Sequence, residues 1–139
     1  MYDGCILPLP YYACIYTFSY LSLVSFAYAV YRNYIFLCIV PGSVFLSSIL
    51  YWQRPDYSWR RYVDMIVVQL GLWYQCYIAW YSEMGILYYI TVVLCCISFL
   101  LGVHYYQKRN LLMSTIFHLL VHSIGNIGNV ILYSGQIYN

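Results

Sequence analysis

Residues 114–133 read STIFHLLVHSIGNIGNVILY. The stretch is long and apolar enough to cross a bilayer as one helix, yet it carries His118, His122, Asn126 and Asn129. With His118 at zero and a turn of 100° per residue, Ser114 falls at about −40°, His122 at about +40°, Gly125 at about −20°, Asn126 at about +80° and Asn129 at about +20°. One side of this helix is polar or bare; the other is Leu, Ile, Val and Phe. Polar side chains are costly at membrane depth, so the stripe is expected to face protein or a water-filled space rather than lipid.

The rest of the chain agrees with a membrane setting. Only 7% of its 139 residues are charged and 64% are hydrophobic, with a mean hydropathy of +0.70. A soluble domain carries about 25% charged residues. An all-α polytopic transmembrane bundle is therefore expected, forming a single domain over 1–139 with no room for a soluble one. The net charge of +2 is small and scattered, which argues against a nucleic-acid partner. MYDGCILPLP at the start has no basic n-region, so no cleavable signal is expected and the first span serves as its own insertion signal.

Five spans follow from the apolar runs: 11–31, 34–52, 59–81, 84–103 and 111–134. Pro8 and Pro10 delay the first. Pro41–Gly42 lies inside the second, where a kink is expected. Ser58 is placed to cap the third. The fourth is almost purely apolar and reads as the most lipid-facing. Of the six Lys and Arg residues, Arg54, Arg60, Arg61, Lys108 and Arg109 then fall on one side and Arg32 alone on the other. The positive-inside rule puts the N-terminus in the cytoplasm and the C-terminus on the opposite side. Trp52 and Trp59 are expected at the cytoplasmic interface and Trp80 at the other.

Five of the six cysteines lie in apolar runs, and Cys95–Cys96 are adjacent, so they read as small hydrophobes without a disulfide framework. The 20 tyrosines suggest tight ring packing between helices and with other protein subunits.

On the third span, Asp64, Gly71 and Gln75 form a second polar stripe beside Arg60 and Arg61. Ser47 and Ser48 of the second span, Asp64 of the third, and His118 and His122 of the fifth all fall in the same half of the membrane. The i, i+4 spacing of His118 and His122 suits two imidazoles on one zinc ion. Asp64 would be a third ligand, the orienting partner of a His N–H or a general base. Interhelical hydrogen bonding uses the same residue types: His118 and His122 as polar glue, Asp64 paired with Arg60 or Arg61, Gly125 and Gly128 as close-packing positions. Haem does not fit, since i, i+4 imidazoles of one helix cannot ligate opposite faces of one iron.

The order Ser47 or Ser48, then Asp64, then His118–His122 resembles the CREST membrane hydrolases, the group containing alkaline ceramidases and adiponectin receptors. The resemblance covers about a quarter of the chain and implies a zinc-dependent lipid amide or ester hydrolase, with zinc at His118, His122 and Asp64. Two departures stand against it. That family has seven spans, and the His it places after the Ser is here Tyr51, Trp52 or Gln53. The missing ligand, the small size and the excess of tyrosine favour a non-enzymatic subunit of a larger membrane-associated complex, such as a virus particle membrane or an energy-transducing complex, with the lipid bilayer and other subunits as its partners.

Overall fold

The computed structural model describes residues 4–138. Among them are six α-helices: α1 (Leu9–Ser19), α2 (Leu21–Tyr31), α3 (Ile35–Trp52), α4 (Trp59–Ala79), α5 (Gly85–Gln107) and α6 (Leu111–Ser134). They make five rods, because α1 and α2 are two halves of Leu9–Tyr31. The break at Tyr20 has no Pro or Gly behind it. Thr17 and Ser19 turn their hydroxyls back onto the carbonyls of Ala13 (2.9 Å) and Ile15 (3.0 Å), competing with the backbone ladder. Tyr20 N–H then bonds the Thr17 carbonyl and Leu23 N–H that of Tyr20, a three-residue spacing that tightens the turn. Pro41 instead lies inside an uninterrupted α3 and is fully buried.

Four rods, Leu9–Tyr31, α3, α5 and α6, are long and apolar enough to cross a membrane. The 21 residues of α4 span about 31 Å, which is long enough to cross, but α4 is not among the rods that are also apolar enough. Arg60, Arg61, Asp64, Gln69 and Gln75 make it the more polar rod.

Neighbours in sequence are neighbours in space. The first rod packs on α3, α3 on α4 and α5 on α6, and α6 returns to the first rod, while α4 meets α5 only sparsely. A zinc site shared by Asp64, His118 and His122 would need the third and fifth spans side by side, and they are not. The α4 helix packs on α3 and reaches α6 through side chains.

The two ends of the bundle are tied separately. At one, Ile6 N–H donates to the Pro55 carbonyl at 2.8 Å and the Tyr106 hydroxyl to that of Ile6 at 3.5 Å, over a core of Leu7, Ile15, Tyr51 and Trp52. At the other, the Tyr34 hydroxyl donates to the Gly135 carbonyl at 2.8 Å, and residues 136–138 bond the 81–83 turn. Ile6 and Tyr138 thus sit at opposite ends, with the basic loops around 54–61 and 108–109 beside Ile6. Trp52, expected at an interface, is instead buried in this end core.

The apolar fourth span hides a row of small residues. Thr91, Cys95, Ser98 and Gly102 repeat every three or four positions on α5; Thr91 meets Gly128 of α6, Cys95 meets Val121 and Gly125, and Gly102 meets Ser114. Antiparallel backbones can approach closely along such a seam. The Cys95 thiol lies 3.6 Å from the Val121 carbonyl. All six cysteines are unpaired.

The C-terminal segment is strapped to the turn between α4 and α5. Glu83 accepts from the Tyr138 hydroxyl at 2.6 Å and from Gln136 N–H at 3.1 Å. These donors, the Tyr138 hydroxyl foremost, hold the Glu83 carboxyl below the ordinary glutamate range. A depressed acid stabilises the strap above its unfolded titration range, and the contribution is lost as pH falls through the folded value. Amide exchange at Gln136, corrected for its intrinsic pH dependence, is expected to accelerate on acidification through that range, and at a higher pH in Tyr138→Phe. Protection independent of pH would show that Glu83 does not hold the tail.

Candidate functional site

The α4 helix enters through a compact polar turn. Asp56 accepts from Ser58 N–H at 3.2 Å and from Arg60 Nη2 at 2.8 Å. Ser58 is the N-cap residue, but its hydroxyl accepts from Arg60 Nε at 3.2 Å instead of capping the helix. The Arg61 guanidinium lies over the Tyr57 ring, 5.1 Å from its centroid. The arginines are therefore engaged before Asp64 is reached.

Asp64 lies on the face of α4 turned toward α3. Its Oδ1 accepts from both Ser47 Oγ and Ser48 Oγ, each at 2.8 Å. The structure thus brings together three of the residues singled out in the sequence. It gives Asp64 neither of the expected partners, an arginine or an imidazole. Adjacent serines can both reach one oxygen because α3 and α4 run close here; farther along, Gly71 of α4 sits against Val40.

His118 and His122 lie on successive turns of α6 with ring centroids 5.3 Å apart. The Trp52 ring of α3 packs edge-on against His118, 4.8 Å between centroids. Neither imidazole has a hydrogen-bond partner among the described residues, and Thr115 Oγ1, one turn before His118, is buried without one. Further up the stripe, Asn126 accepts from Ser25 Oγ of α2 at 2.6 Å and donates to the His122 carbonyl at 2.7 Å.

A catalytic zinc needs three protein ligands and an open position. No three His, Cys, Asp or Glu side chains converge among the described residues. Where the resemblance requires another imidazole, the Trp52 indole stands against His118. The donor set does not fit a hydrolytic metal centre, and no catalytic step follows from it.

Sequence reasoning missed the other polar cluster. The Tyr88 hydroxyl of α5 donates to Gln75 Oε1 at 3.1 Å, Gln75 Nε2 of α4 donates to the Tyr133 hydroxyl of α6 at 2.6 Å, and Tyr133 donates to the Leu37 carbonyl of α3 at 3.5 Å. Leu37 lies four residues before Pro41, which has no N–H to offer it. The proline thus frees an acceptor for Tyr133, and four rods are joined by one chain of bonds. Pro41 and Gln75 were the available signals, but among so many tyrosines nothing marks Tyr88 and Tyr133.

No protein-family model, no curated protein and no solved structure matches this chain.

Proposed function

We propose that this protein is a non-enzymatic subunit of a larger membrane assembly, inserted with its N-terminus in the cytoplasm and its C-terminus on the opposite side. The observation that carries this reading is the outer face of α4. Trp59, Tyr62, Trp73, Tyr77 and Trp80 are between 61% and 77% exposed and lie within an arc of about 60°, opposite Asp64 and Gln75. Trp59 and Tyr62 at one end and Tyr77 and Trp80 at the other suit membrane interfaces. Trp73 does not: it lies about 10 Å deeper than Trp80 along the helix. Its indole N–H has no partner among the described residues, and a buried indole N–H usually finds an acceptor. A neighbouring subunit packed on α4 would supply one. The charge segregation, with Arg54, Arg60, Arg61, Lys108 and Arg109 at the Ile6 end, supports the orientation.

A photoreactive phenylalanine analogue at position 73, activated in the native membrane, tests the reading. It is expected to yield protein adducts of raised mass, whereas the same probe at Val93 on the outer face of α5 captures lipid. Lipid adducts alone at position 73, from a monomeric protein that hydrolyses a lipid, would overturn it.

A further inference from the structure

We propose that Asp64, held by Ser47 and Ser48, is a proton-binding site inside the membrane, loaded and unloaded at Oδ2. Both serine hydroxyls converge on Oδ1, while Oδ2 has no partner among the described residues. One carboxyl oxygen is thus saturated and the other left open.

No cation among the described residues is paired with the group. Arg60 is committed to Asp56, and Arg61 to the Tyr57 ring. Tyr51 of α3, which interacts electrostatically with Asp64, is not a cation and does not compensate it either. His118 packs against Trp52 and has no hydrogen bond to Asp64. Asp64 is five residues past the start of α4, about 8 Å along the helix. An uncompensated charge there is expensive, and adding a proton removes it.

The serines can serve both states. Ser47 Oγ lies 2.8 Å from Asp64 Oδ1 and 3.2 Å from the Val44 carbonyl. When Asp64 is ionised, both hydroxyls donate to it. When Oδ2 carries a proton, the Ser47 hydroxyl can turn to Val44 without losing a hydrogen bond. A hard metal cation is a poorer occupant, since such ions take about six or more oxygen ligands and the cluster offers one carboxylate and two hydroxyls.

The test uses N,N′-dicyclohexylcarbodiimide on the full-length protein in native membranes, with the label located by peptide mass. The protonated carboxyl passes its proton to a carbodiimide nitrogen while its oxygen bonds the central carbon; the acylisourea then rearranges to a stable N-acylurea. We expect labelling at Asp64 and none at the water-exposed Asp56 and Glu83, with a rate falling about tenfold per pH unit above its midpoint, as the protonated fraction does. The Ser47→Ala/Ser48→Ala variant is expected to displace that pH profile, because both hydroxyls donate to the carboxylate. Absence of label at Asp64, a rate independent of pH, or protection by sodium at constant pH would each overturn the proposal, the last by making the site a cation's.

Discussion

Tyr133→Phe is expected to destabilise the bundle by about 1–3 kcal/mol, because it leaves two buried groups without partners. Gln75 Nε2 loses its acceptor, and the Leu37 carbonyl freed by Pro41 loses its donor. Gln75→Leu removes the acceptor of the Tyr88 hydroxyl as well and should fall in the same range. Since the two residues act through one bond, the double variant should cost clearly less than the sum. Equilibrium unfolding of the detergent-solubilised protein with an anionic denaturant measures all three. Single variants within experimental error of the parent, or strict additivity, would show that the network does not couple the rods.

The second large effect is at the α5–α6 seam. A Cβ on Gly128 would collide with Thr91 Oγ1 and approach Thr91 Cβ to 3.2 Å, so Gly128→Leu must push the helices apart. Overpacking of this kind costs about 1–3 kcal/mol, occasionally more. Gly128→Ala should be milder and be rescued in part by Thr91→Ala, which removes the obstructing hydroxyl and methyl. Gly125→Ala is the control: its nearest neighbour would be Cys95 Sγ at 3.8 Å, an ordinary contact. Replacing a helical glycine there should be neutral or stabilise by up to about 1 kcal/mol. Equal losses at both positions would mean that the seam is not set by local clearance.

These residues also show what could be read in advance. The helical class, the five rods and the two groups of loops follow from apolar runs, breakers and charge segregation, all of them local signals. Gly128 was recognisable as a close-packing position because few other roles suit glycine inside a helix, whereas Gly125, read the same way, has room for a methyl group. The meeting of Ser47 and Ser48 with Asp64 was legible because one turn separates the two spans and fixes their depths. What failed depended on lateral arrangement. Stripe angles say which way Asp64 and His118 face on their own helices, but not whether α4 and α6 are adjacent, so the three-ligand site was drawn across a ring that keeps those rods apart. Trp52 was assigned to the interface by residue type, and at the end of α3 it packs inward beside Leu7 and Ile15, a contact that residue type does not foretell. The break at Tyr20 has no Pro or Gly to mark it, and the backward hydroxyl bonds of Thr17 and Ser19 have counterparts at Ser43 and Ser123 inside uninterrupted helices.

The most polar rod, α4, decides the architecture. If it crosses, there are five crossings and the chain ends are on opposite sides; if it lies along the surface, there are four and both ends share a side. Reporter tags at each terminus, assayed for accessibility in sealed membrane vesicles of known orientation, measure this directly. The N-terminal tag is expected on the cytoplasmic side and the C-terminal tag on the other. Both tags on one side would contradict the five-rod crossing and, with it, the placement of Asp64 and Trp73 within the membrane.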